Sequence, residues 1–269
     1  MKRFPAEFED MLGRAGRRVL AGNSDMCGRL ADPRTRFVAA TGLVDARQAG
    51  AARSLLDAAL LPHLSPLVAP IPPETIWEMT RNYDEWLPKA MRQQTAYLER
   101  KRGAAYRAAN EIGLVTMLRS ESFVAFATAL AGAKLRRQHG IQVLAYGPGD
   151  YAGPHNDHHP EEPAAAKGYL DVHISLASPA VEDQFLVYAR AGHFTEMVNV
   201  ATSGGVTAYR LPFWHYTTPL QAKPGRDAAA RRWVLLGTFL YAGRKPSFGT
   251  VPPSALAARA YVPSLVNGG

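Results

Sequence analysis

The chain has 269 residues, 47% of them hydrophobic, enough to bury one large core or two modest ones. A net charge of +8 and a pI near 9.7 suit anionic partners. The cations are nevertheless spread along the chain and form no basic–aromatic cluster, so a small molecule rather than nucleic acid is the expected partner. The single cysteine, Cys27, excludes an intrachain disulfide and a cysteine-based zinc cage, and it fits a reducing, cytoplasmic location. The charged N-terminus lacks the apolar core of a signal peptide, and no run approaches the roughly 18 apolar residues of a membrane span.

In chain order, Phe8, Met11, Leu12 and Leu20 predict a short amphipathic helix over 6–20, ended at Ala21-Gly22-Asn23-Ser24. Residues 34–38 predict a short strand. Asp45 is placed to cap a helix reaching about residue 61, with Leu55, Leu56, Ala59 and Leu60 forming its apolar stripe. Pro62, Pro66, Pro70, Pro72 and Pro73 predict a loop. Over 74–102 the spacing of Ile76, Trp77, Met79, Tyr83, Trp86, Leu87 and Met91 predicts a helix kinked at Pro88, its aromatic stripe belonging to the core. Another helix is expected over 104–118, and a third after Ser120 or Ser122 as cap, ending near Gly132.

The period then changes to that of strands. Residues 141–146, 169–178, 184–189, 194–200, 206–211, 215–220 and 233–241 each read as a strand between Gly, Pro and Asp turns. Along 169–178, Asp171, His173 and Ser175 fall on one face and Leu170, Val172, Ile174 and Leu176 on the other. Many short strands so separated predict a double-sheet jelly roll. The fold class expected is therefore α+β: a jelly-roll core over 139–245, a mainly helical region over 1–138 packed on it, and a C-terminal tail over 246–269 with one short helix near 254–260.

His155 and Asp157 stand two residues apart, a spacing that turns both side chains to one face of an extended strand. His215 follows later in an apolar and aromatic setting, Leu211-Pro212-Phe213-Trp214-His215-Tyr216. Two imidazoles and a carboxylate can occupy one face of an octahedral ion and leave the remaining positions open, as in non-haem Fe(II) oxygenases. His158 and His159 are placed to border such a site, and Glu161 and Glu162 to follow in a loop over it. Arg232 opens the apolar strand beyond, and guanidinium suits two-pronged pairing with a carboxylate.

This order of residues resembles the Fe(II)/2-oxoglutarate-dependent oxygenase superfamily over roughly the C-terminal half of the chain. Leu144-Ala145-Tyr146-Gly147-Pro148-Gly149-Asp150-Tyr151-Ala152-Gly153-Pro154-His155-Asn156-Asp157 is similar to the family's lead-in to its H-x-D motif, and the segment from Gly204 to His215 to its strand preceding the distal histidine. The resemblance implies a double-stranded β-helix (cupin-like) fold and Fe(II) held by His155, Asp157 and His215. It implies further that 2-oxoglutarate is anchored by an arginine of a late core strand, and that O2 oxidises an unactivated C–H bond as 2-oxoglutarate becomes succinate and CO2. Arg232 matches that arginine. The interval from His215 is longer than the family's usual one, with 221–230 as an inserted turn, so Arg226 and Arg231 compete for the role. Tyr146, Thr207, Tyr209 and Thr217 are candidates to donate hydrogen bonds to the cosubstrate, Tyr146 and Thr217 foremost. The carboxylate at Asp157 favours hydroxylation over halogenation, for which the family uses a small residue there. The reaction expected is hydroxylation of a small molecule, such as an amino acid or specialised metabolite. The alternatives are a jelly-roll iron oxidase that does not use 2-oxoglutarate and a jelly roll that binds without turnover.

Overall fold

The computed structural model describes residues 2–32, 34–69, 91–98, 101–155, 168–190, 193–211 and 214–242. Its elements, in order, are α1 (Arg14–Leu20), β1 (Phe37–Ala40), α2 (Ala46–Ala59), β2 (Ser65–Ala69), β3 (Met91–Tyr97), α3 (Ala104–Glu111), α4 (Leu114–Leu118) and α5 (Glu121–Ala131). Ten strands follow: β4 (Gly140–Tyr146), β5 (Tyr151–His155), β6 (Tyr169–Ala177), β7 (Val181–Asp183), β8 (Phe185–Arg190), β9 (His193–Asn199), β10 (Ser203–Leu211), β11 (His215–Thr217), β12 (Gln221–Ala222) and β13 (Arg232–Leu240).

Local chemistry accounts for several boundaries. Asp45 caps α2, its carboxylate accepting from the backbone N–H groups of Arg47 and Gln48 at 3.0 and 3.1 Å. Ser120 caps α5 by accepting from the Phe123 N–H at 3.2 Å. Gly132 ends α5 at φ +62°, and a Cβ there would lie 2.5 Å from the Gly28 Cα, so both the dihedral and the close approach require glycine. The stretch Leu114–Ala131 is apolar and long enough, by composition, to cross a membrane. It is divided at Arg119-Ser120 into α4 and α5, whose buried residues pack into the core.

The main sheet has 11 strands in the order β1-β10-β6-β13-β4-β3-β5-β11-β8-β9, with β2 added on β3, and every pairing is antiparallel. β10-β6-β13-β4 form one wall and β5-β11-β8-β9 the other. β3 joins them, because it pairs with β4 over Gln94–Tyr97 and with β5 at Met91 and Arg92. The result is a nearly closed antiparallel barrel of the jelly-roll type, the second face of the first wall covered by helices. The alternation along β6 divides as the sequence predicts: Leu170, Val172, Ile174 and Leu176 join the helix-side core, while Asp171, His173 and Ser175 face the barrel interior. β13 follows the same rule, sending Trp233, Leu235 and Phe239 to the helices. There Phe123 meets Phe239 at 5.5 Å between ring centroids and Phe8 at 5.1 Å.

Two expectations for the N-terminal half are corrected. The helix expected over 74–102 is, in its described part, strand β3. Met91 and Thr95 satisfy helical spacing and strand alternation equally, and pairing with β4 and β5 decides for the strand. The loop expected around Pro66 includes strand β2, which lies at a sheet edge where proline's missing N–H breaks no ladder bond. The remainder of that helix, with Trp77 and Trp86, and the helix expected near 254–260 lie outside the described residues.

Candidate active site

His155 ends β5, His215 begins β11, and the two are direct partners across the antiparallel pair. Direct partners project to the same face with their Cβ atoms about 5 Å apart. The imidazole centroids are 4.3 Å apart, and both residues are buried within the barrel. Nδ1 of His155 is 2.6 Å from the Gly153 carbonyl oxygen. A carbonyl only accepts, so Nδ1 carries the hydrogen, and in the neutral ring the lone pair resides on Nε2. Metal-binding histidines are oriented in this way, with one nitrogen donating to the protein and the other turned to the ion. The donor chemistry of the pair thus fits a divalent metal of the iron type. Asp157, together with His158, His159, Glu161 and Glu162, lies outside the described residues. Among the described residues no group of three His, Cys, Asp or Glu could hold a metal ion.

Arg232 is the first residue of β13, paired with Tyr146 on β4 and Ala177 on β6. It is 2% exposed. Its Nε donates to Ser175 Oγ at 2.9 Å and its Nη1 to Gln184 Oε1 at 2.8 Å. Both acceptors are held in turn. Ser175 Oγ donates to the Val200 carbonyl at 2.6 Å, and Gln184 Nε2 donates to the carbonyls of Asp150 and Thr218 at 3.1 and 3.0 Å. Because the Gln184 nitrogen must face two carbonyls, its oxygen is fixed toward the guanidinium. The Tyr146 ring centroid is 5.5 Å from the guanidinium carbon. Burial pushes the Arg232 pKa down from its ordinary value, while Tyr146 and Tyr209 act in the opposite direction. No carboxylate among the described residues pairs with this cation, and Nη2 has no hydrogen-bond partner among them.

The competing arginines are located differently. Arg226 is exposed in the turn before β13. Arg231 points to the helix side and pairs with Asp57 of α2 at 3.2 Å, beside the Trp233 Nε1 that donates to the same oxygen at 2.9 Å. Thr217 accepts from the Ala152 N–H at 2.9 Å and so pins the strand pair that carries the histidines. Thr207 and Tyr209 are buried on β10, with the Tyr209 ring tilted against that of His215 at 5.2 Å between centroids. Sequence reasoning did not find Ser175 or Gln184 as partners of the arginine. Alternation placed Ser175 on the inner face, but no local pattern announces a bond spanning 57 residues, or one spanning 48.

Among solved structures the fold is shared with an enzyme of known type. A prolyl 4-hydroxylase from Phytophthora capsici aligns at TM-score 0.50 and 14% identity, over 89% of this chain and 70% of that one. A Pseudomonas putida prolyl-4-hydroxylase aligns at TM-score 0.49 and 13% identity, over 84% of this chain and 100% of that one. The non-haem alpha-ketoglutarate-dependent epimerase SnoN from nogalamycin biosynthesis aligns at 0.49 and 16%, over 80% of each chain. No protein-family model and no curated protein matches the sequence. At these identities the likeness is one of fold, and the chemistry has to be argued from the side chains.

Proposed function

We propose that the protein is an Fe(II)/2-oxoglutarate-dependent oxygenase that oxidises a C–H bond of a small molecule, most simply by hydroxylation. The observation that carries this reading is Arg232, a buried cation on the inner barrel face with no carboxylate partner among the described residues. An uncompensated buried charge costs several kcal/mol. The far carboxylate of 2-oxoglutarate would supply the missing counter-charge, two-pronged against the guanidinium.

His155 and His215, with Asp157, would hold the metal. When bound, Fe(II) supplies a site where the 2-oxo acid and O2 meet and react. The chain's own contribution is placement. Ser175 and Gln184 fix the plane of the Arg232 guanidinium before any ligand arrives, and Tyr146 packs on it, so little ordering remains to be done on binding. The Gly153 carbonyl fixes the tautomer and orientation of His155. Buried Tyr169, Leu186, Tyr209 and Leu211 form one apolar cluster, a surface that would help to keep water from the reacting groups. The fold shared with a prolyl 4-hydroxylase is in keeping with the reading.

The test is 2-oxoglutarate binding under nitrogen, followed by oxygen-dependent succinate formation. Arg232→Ala is expected to weaken 2-oxoglutarate binding by about 100-fold, the usual scale for removing one partner of a buried charge pair, while iron binding is retained. Unchanged affinity for 2-oxoglutarate in that variant would remove the cosubstrate from the proposal.

A further inference from the structure

One polar cluster on the inner face of β6 holds neither the arginine nor the histidine pair. The Tyr209 hydroxyl and His173 Nδ1 are 2.7 Å apart, and His173 Nε2 lies 3.8 Å from Asp171 Oδ2. Asp171 is 6% exposed, yet its Oδ1 is buried without a hydrogen-bond partner among the described residues, and so is His173 Nε2. The one described group at ion-pair distance from the Asp171 carboxylate is the His173 imidazole, and it is too far to hydrogen-bond. The cross-strand partners of Asp171 are Tyr209 and Thr238, and neither is a cation. A buried polar oxygen left unpaired is expensive unless something arrives to donate to it.

We infer that Asp171 is the substrate anchor and that the group it takes is a protonated amine. This deepens the oxygenase reading and rests on it for the fate of the substrate, though not for the binding itself. Three features favour an ammonium over a hydroxyl or an acid. A hydroxyl would donate a hydrogen bond but leave the carboxylate charge with no partner nearer than the His173 imidazole at 3.8 Å, and an acid would add a second negative charge. An ammonium supplies both charge and donors. The surrounding inner wall is aromatic: Tyr209 stacks 5.9 Å from Phe37, which in turn meets Tyr188 at 4.8 Å, and ring faces attract cations and repel anions. Finally, Tyr209 ties the anchor to the reaction centre, since its ring is 4.5 Å from His173 and 5.2 Å from His215. Arg232 and Asp171 thus give the interior two opposite charges on one wall, the first matched to a dicarboxylic cosubstrate and the second to an amine.

The experiment compares n-hexylammonium with 1-hexanol, two probes of the same chain length, by ligand-observed NMR titration of the full-length protein under nitrogen at neutral pH. The ammonium is expected to bind at least about tenfold tighter than the alcohol. Asp171→Asn is expected to erase that preference and leave the alcohol's affinity within about twofold. Equal binding of the two probes by the wild type, or a preference surviving in Asp171→Asn, would overturn the assignment. Should Asp171→Asn fail to fold, the wild-type preference and its loss in Asp171→Ser, which likewise removes the charge, decide the matter. Binding of 2-oxoglutarate and iron, measured on the same sample, reports separately on the oxygenase reading, so either can fail without the other.

Discussion

The two faces of the wall β10-β6-β13-β4 are built from the same strands and differ in almost everything else. On the helix side, Trp233, Leu235 and Phe239 of β13 and Leu170, Val172, Ile174 and Leu176 of β6 enter one apolar core with α5 and the N-terminal segment. On the barrel side, one residue along, stand Arg232, Ser175, His173 and Asp171, equally buried or nearly so but polar, and incompletely paired among the described residues. A strand period of 2 lets a single stretch of chain carry both. The helix side is packed as an apolar core, and the polar groups are gathered on the other face.

That contrast is broken most directly by two single changes. Trp233→Ala removes the largest fully buried side chain of the helix side and is expected to cost about 3–5 kcal/mol, a fall in Tm on the order of 10 °C. His215→Ala, on the barrel side, is expected to shift Tm by no more than about 2 °C while abolishing iron binding in an equilibrium dialysis assay. If His215→Ala melted as low as Trp233→Ala, stability and chemistry would not be separated by face.

A third change sharpens the distinction. Arg232→Met replaces a buried charge that has no carboxylate partner among the described residues with an apolar side chain of similar length. It is expected to leave unfolding free energy unchanged or to raise it by about 1 kcal/mol, read from urea denaturation, and to remove 2-oxoglutarate binding. The analogous change at Trp233 can only destabilise. A gain in stability coupled to a loss of ligand marks a residue kept for function rather than for folding.

The two faces were not equally legible in the sequence. The helix side was visible from periodicity: the alternation of β6, the caps Asp45 and Ser120, and the apolar run of α5 are each local patterns. β3 was not visible, because Met91 and Thr95 fit both periods and only its two strand partners choose between them. On the barrel side the motif residues His155, His215 and Arg232 stood out by order and context. The bonds that give them meaning join positions dozens of residues apart: Arg232 to Ser175 and Gln184, Tyr209 to His173. No window of sequence contains both ends of such a bond, so the pairing emerges only once the sheet order is known.

Tyr241 gives a pH-dependent test of the helix side. It is 8% exposed, with its hydroxyl buried and unpartnered among the described residues, and burial pushes its pKa up to about 12, against the opposing influence of Arg210 and Arg36. A phenol whose folded pKa exceeds its unfolded value near 10 contributes stability that is intact below pH 10 and lost as pH rises toward 12. Across that window the loss attributable to Tyr241 is at most about 2.7 kcal/mol. Tyr241→Phe is expected to flatten that part of the alkaline decline, measured as the difference between the two proteins' urea midpoints, and to leave the midpoint at pH 7 unchanged or higher.

The smallest effect lies at the edge of the helix side, where α2 covers the wall. The Asp45 carboxylate satisfies two N–H groups that would otherwise have no partner in the first turn, at 3.0 and 3.1 Å. Asp45→Ala is expected to cost about 1 kcal/mol, a fall in Tm of roughly 2–4 °C. Asp45→Asn and Asp45→Ser, which keep an acceptor, should restore most of it. Because α2 also supplies Asp57, the common partner of Arg231 and the Trp233 indole, fraying at its first turn tests whether that far end is held independently. If 2-oxoglutarate binding is unchanged in Asp45→Ala while Tm falls, the helix side can loosen without disturbing the barrel side. A parallel loss of binding would instead show that Arg232 depends, through its neighbours Arg231 and Trp233, on the packing of α2.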